Sequence, residues 1–191
     1  MSIATLVVLA LALLAAVYAI MLYNALVRLK HNVTRAWANI DVLLKQRHDE
    51  LPKLVETCKQ YMQFEQETLT KVMEARSRVH AAQESGDVRS LGAAEGGLRA
   101  SLGRLFALAE AYPDLKTNQT FQQLQTRISA LEDGIADRRE FYNESVNLNN
   151  VRIEQFPDVL IARWFGFKAA ELLEFAAAET ADVDVGALFR S

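Results

Sequence analysis

The amino-acid sequence predicts an all-α protein: an N-terminal transmembrane helix followed by an elongated antiparallel three-to-four-helix bundle with coiled-coil-like packing. Three observations carry this. Ile3 to Leu22 is an uncharged apolar run, and the first charge is Arg28; at about 1.5 Å per residue the run reaches roughly 30 Å, the thickness of a bilayer's hydrocarbon core. Beyond it, apolar residues recur at steps of three and four, the helical period. Finally, 191 residues contain only 8 Gly and 3 Pro, and Ala, Leu, Glu, Gln and Arg dominate, a helix-favouring mix.

The apolar run reads as a retained anchor rather than a cleaved signal, because Met1-Ser2 carries no side-chain cation and the stretch is too long for a signal core. Cations follow at Arg28, Lys30 and Arg35. By the positive-inside tendency they predict a single-pass protein of the inner (cytoplasmic) membrane, N-terminus outside and bundle cytoplasmic. Tyr18 and Tyr23 suit the water–lipid boundary. The expected division is 1–22 anchor, 23–157 helical bundle, and 158–191 amphipathic aromatic segment with acidic tail.

The first stripe after the anchor runs Leu26, Leu29, Val33, Trp37, Ile40, Leu44, Leu51, Leu54, Cys58, Tyr61, Leu69, Val72 and Val79. Pro52 interrupts it, and proline removes a ladder bond. The stripe keeps its phase across Pro52, which favours one bent helix over a reversal there; from Tyr23 to about Gln83 it would span roughly 90 Å. Gly86 is placed for a left-handed cap and Asp87 for the next N-cap. A second stripe reads Leu91, Glu95, Leu98, Leu102, Leu105, Ala109 and Tyr112, stopped by Pro113. Thr117 or Asn118 can cap the third, which reads Phe121, Leu124, Ile128, Leu131, Ile135, Arg138, Tyr142, Asn149 and Ile153 and closes at Pro157. Short connections imply antiparallel neighbours. Trp164, Phe165 and Phe167 then crowd around Gly166, and Leu172, Leu173 and Phe175 are expected to continue an amphipathic helix. Three readings stand for this aromatic cluster: a cap on the bundle core, a seat for a neighbouring subunit, or a segment dipping into the lipid interface.

Charge and chemistry exclude more than they assign. A net charge of −3 leaves no basic footprint for nucleic acid. Charge is uneven, with cations in excess between Arg28 and Lys59 and acids gathered at Glu171, Glu174, Glu179, Asp182 and Asp184. The basic stretch lies where anionic lipid heads would sit, so membrane lipid is an expected partner. The residues three before His31, His48 and His80 are Arg28, Lys45 and Ser77, so the Glu-x-x-His spacing of a di-iron bundle is missing. Cys58 has no histidine within a helical turn and falls on an apolar face, where it reads as a small core residue. No phosphate-cradling glycine loop or nucleophile elbow occurs. No catalytic residue, metal or cofactor is expected.

Polar residues on or beside the seams, Asp41, Arg47, Arg76, Arg138, Arg139, Asn143 and Asn149, must pair internally or face a partner, since buried charge is costly alone. Two readings follow: a register device within the bundle, or a recognition surface. The candidate interaction and assembly residues are Arg28, Lys30, Arg35, Arg47, Arg138, Arg139, Trp164, Phe165 and Phe167.

The stripes also carry a pattern. Tyr23-Asn24-x-Leu26-Val27, Ala36-Trp37-Ala38-x-Ile40-Asp41-Val42 and Lys45-x-Arg47-His48-Asp49-x-x-Pro52-x-Leu54-Val55-Glu56-Thr57 closely resemble the LemA family. So do Tyr112-Pro113-Asp114-Leu115-Lys116, Arg138-Arg139-x-Phe141-Tyr142-Asn143 and Phe156-Pro157. The resemblance covers nearly the whole chain in family order and implies a membrane helix with a short outside terminus and a cytoplasmic helical bundle. It brings no agreed biochemical activity. Glu95-Gly96-Gly97 departs from the Glu-Asn pair that the family usually has there. The combined expectation is a membrane-anchored scaffold or interaction protein that self-associates, with membrane remodelling or lipid sensing, or service as an accessory subunit of a membrane enzyme such as a protease, as alternatives. Lipid, further copies of itself and a membrane-protein partner are the partners this implies.

Overall fold

A computed structural model describes residues 2–174. Among them are six helices and no strand: α1 (Ile3–Lys59), α2 (Gln66–Ser85), α3 (Val88–Ala109), α4 (Pro113–Lys116), α5 (Gln119–Glu154) and α6 (Asp158–Phe165). The chain forms two compact units, one of residues 1–43 with 134–172, the other of residues 44–133 with the segment from Leu173.

In the first unit, no residue of α1 from Ile3 to Met21 is buried, and Leu22 is the first that is. Leu26 packs on Ile153 of α5 and Ala162 of α6, with Ile161 and Phe167 against the same cluster. Further along, Trp37 of α1 meets Tyr142 of α5 at a ring distance of 5.4 Å. Gly166, at φ 71°, ends α6 in the left-handed conformation that glycine adopts without strain. The amphipathic helix expected to continue through Leu172 and Leu173 does not form. Instead the backbone after Gly166 is received by α5 side chains. Asn150 donates to the Ala170 carbonyl and accepts from its N–H, both at 2.9 Å. Asn149 donates to the Lys168 carbonyl, and the Tyr142 hydroxyl to that of Glu171 at 2.9 Å. These bonds replace the helical ladder, and residues 167–172 lie as a strap on α5. Phe175 and the acidic residues Glu179, Asp182 and Asp184 lie outside the described residues.

The second unit is a four-helix core from the end of α1, α2, α3 and the start of α5. Leu44, Leu51, Leu54, Cys58, Leu69, Val72, Val79, Leu91, Leu98, Leu102, Leu105, Phe121, Leu124 and Ile128 are all buried, as their stripes predict. Gly86 caps α2 at φ 69°. Asp87 accepts from the N–H groups of Arg89 and Ser90 at the start of α3, and Asn118 accepts from Phe121 at the start of α5.

α1 does continue through Pro52, but not on to Gln83: it ends at Lys59, and the chain reverses through residues 60–65 before α2. Nothing in this stretch is a glycine or proline. The turn is held from outside. Met62 is fully buried, Asn118 donates to the Tyr61 hydroxyl at 3.0 Å, and the Tyr112 hydroxyl donates to Glu65 at 3.2 Å.

Pro52 has a consequence of its own. Lacking an N–H, it leaves the carbonyl four residues earlier, that of His48, without its ladder donor. Arg76 of α2 supplies the replacement: its Nε donates to the His48 carbonyl at 2.9 Å, and its guanidinium also holds His48 Nε2 at 2.5 Å. The proline that threatens the helix thus creates the acceptor that docks its neighbour.

Candidate functional site at the end of the apolar run

Where α1 leaves its apolar run, Tyr23 packs at an angle against two aromatics of the C-terminal region, Phe165 at 4.7 Å and Phe167 at 5.8 Å between ring centres. These rings wall a cleft of about 550 Å³ whose other lining includes Lys30, His31 and Thr34 from α1, Asn149 from α5, and Lys168 from the strap. Arg28, Lys30 and Arg35 all point to solvent. Apolar rings beside flexible cations suit the boundary between lipid tails and charged heads. Trp164 takes no part in the ring cluster and stands out in solvent. Arg138 is exposed and Arg139 half-buried, both on α5.

Arg47 is placed otherwise. It is among the largest fully buried side chains of the second unit, bonded to Glu95 of α3 and, at 2.5 Å, to Glu132 of α5, which also takes Arg99 at 3.3 Å. Its candidacy as a surface contact is therefore corrected: the guanidinium is buried and pairs with two carboxylates inside the bundle. Burial opposes its charge, but the two carboxylates outweigh that and raise its pKa. Burial, with the neighbouring charge of Glu132, also pushes the Glu95 carboxyl above its ordinary range, against the pull of Arg47 and Arg99. Glu95 was legible only as a seam position; nothing in the sequence pairs it with Arg47.

His48 was likewise absent from the candidates. Its ring lies 4.5 Å from that of His80, and since arginine can only donate, Arg76 makes Nε2 the acceptor. Burial, then the charge of Arg76, then His80 lower its pKa, against the pull of Asp49 and Glu84. Burial raises the Cys58 thiol to about 12, so it is not a nucleophile at neutral pH. Among the described residues no three of His, Cys, Asp and Glu gather as metal ligands.

Magnetosome protein MamQ 1 of Paramagnetospirillum magneticum is 25% identical over 178 residues, covering 81% of this chain and 65% of its own length. Magnetosome protein MamQ of Magnetospirillum gryphiswaldense is 26% identical over 175 residues, with 80% and 64% covered. The chain thus spans just under two thirds of these relatives. Protein LemA of Metamycoplasma hominis is 28% identical over 165 residues, with 86% of this chain and 74% of that protein covered. A sequence model of the LemA family matches residues 36–186, most of the chain, and the protein belongs to the LemA family.

Proposed function

We propose that this chain is a single-span, membrane-anchored helical scaffold of the LemA type. In this reading α1 crosses the cytoplasmic membrane once, the bundle stands on the cytoplasmic face, and copies associate there to present an interaction surface rather than a catalytic one. One observation carries it: the apolar stretch of α1 stays uncovered from Ile3 to Met21, while the same helix is packed from Leu22 onward. A soluble helix with some twenty uncovered apolar residues would aggregate, and lipid is the solvent that suits it. Arg28, Lys30 and Arg35 supply the bias that holds the bundle inside.

Self-association draws on a second observation. On the outer face of α5, Phe141, Leu148 and Val151 are all exposed, at spacings of seven and three that place them on one helical stripe. Membrane confinement would raise the effective concentration of such faces. The test is the full-length chain. Resistance to carbonate extraction checks the span, and a C-terminal reporter that works only outside the cytoplasm should stay silent. The detergent-solubilised protein should run as an oligomer that Phe141→Ser with Leu148→Ser dissociates without loss of helix. An extractable chain or an active reporter would overturn the topology, and a monomer would overturn self-association.

A further inference from the structure

The short helix α6 leaves its most apolar face unpartnered. Within it Leu160 is 59% exposed and Trp164 85%, four residues apart, so they form one ridge; Phe165 beside them is 57% exposed, and Phe156, just before the helix, 80%. The opposite face is spent on the protein, where Ala162 is buried and Ile161 packs towards Leu26 and Ile153. Large apolar side chains exposed on and beside one short helix are not left to water without a use.

Position says what covers it. Phe165 rests on Tyr23, the residue immediately after the apolar run, and Arg152, one turn before Phe156, shares a cleft with Tyr18, Met21, Leu22 and Arg28. The corner from α5 into α6 therefore lies alongside the last turn of the span. Exposed cations flank the ridge at Arg28, Arg163 and Lys168. Tryptophan is the residue that sits best at the headgroup level, and a helix with an apolar ridge and basic margins is the kind that lies in that layer.

We infer that α6 is an interfacial helix, its Leu160–Trp164 ridge and the neighbouring Phe156 seated in the headgroup layer of the same bilayer that α1 crosses. The inference rests on the spanning role of α1. Given that role, the bundle is fastened to the membrane at two points, and α6 fixes the rotation of α1 about its own axis and the side of the body that faces lipid. A bundle tethered by α1 alone would be free to turn.

The test uses the full-length chain in phosphatidylcholine–phosphatidylglycerol nanodiscs. Trp37→Phe leaves Trp164 as the single tryptophan. Its emission should be blue-shifted, shielded from acrylamide, and strongly quenched by brominated phosphatidylcholine, more by bromines near the headgroup than by bromines deep in the tails. Because Trp37 packs on Tyr142, a second reporter leaves it in place: a nitroxide at Leu160→Cys, with Cys58 buried and unlabelled, should collide with dissolved oxygen more than with a water-soluble nickel complex. Acrylamide quenching with no bromine effect, on discs that carry the chain, overturns the docking of α6 alone. Shielding from both quenchers that grows with the number of chains per disc overturns it too, because a second copy then covers the ridge. A chain that fails to enter discs overturns the spanning role and this inference together.

Discussion

If Arg76 serves the carbonyl that Pro52 orphans, the two residues must be energetically coupled. Arg76→Ala removes the charged donor from the His48 carbonyl and from His48 Nε2. Hydrogen bonds involving a charged group are worth about 1.5–3 kcal/mol, and the half-buried site argues for the lower part of that range. Pro52→Ala restores an N–H in register with the same carbonyl, so the ladder bond can form without Arg76. It forfeits proline's restriction of the unfolded chain, worth about 0.4–1 kcal/mol, and its net effect should be small. In the double variant the carbonyl keeps a donor, so Arg76→Ala should cost roughly 1 kcal/mol less in the Pro52→Ala background than in the parent. The assay is denaturant unfolding of the full-length protein in a mild detergent, followed by near-ultraviolet circular dichroism and comparing midpoints at constant slope. Strict additivity, within about 0.3 kcal/mol, would refute the reasoning, since contacting residues that share one acceptor cannot be independent.

Other expectations follow from the same packing. Arg47→Met should destabilise the protein by about 3–5 kcal/mol at neutral pH by stranding Glu95, and adding Glu95→Leu should recover most of this; a loss below about 1 kcal/mol would mean that water reaches the site. Gly92 of α3 lies directly under the backbone of Glu174, where an added Cβ would collide with the Glu174 carbonyl oxygen. Gly92→Ala should lift that segment off α3, expose Leu173 at a cost of roughly 2 kcal/mol, and speed proteolysis there. His48, with its folded pKa below its ordinary 6.5, binds fewer protons folded than unfolded, so stability should fall as pH drops through and below that value. His48→Gln, which can still accept from Arg76, should flatten that fall. Cys58 should resist alkylation until the protein unfolds, and labelling of the native protein at the unfolded rate would contradict its burial.

How much of this was legible in the sequence follows from the range over which each force acts. The all-helical class, the stripes and the caps at Gly86, Asp87 and Asn118 are consequences of residues within one or two turns of each other, so they can be read locally. The apolar run is equally local, because its length and lack of charge alone fit a bilayer. The phase-keeping of the stripe through Pro52 also correctly foretold a helix that does not break there.

Tertiary structure decided whatever depended on a distant partner. The reversal at residues 60–65 has no glycine or proline, and is set by the burial of Met62 and by hydrogen bonds from Asn118 and Tyr112. The stretch after Gly166 has a helical pattern, yet Asn149 and Asn150 take its backbone bonds and turn it into a strap. Arg47 could equally have faced a partner or paired internally, and only the convergence of α3 and α5 on it, with one carboxylate from each, shows that it pairs internally. The sequence could place Trp164 in an aromatic cluster but could not say that its ring faces outward, because exposure is a property of where other elements are and not of the residue itself.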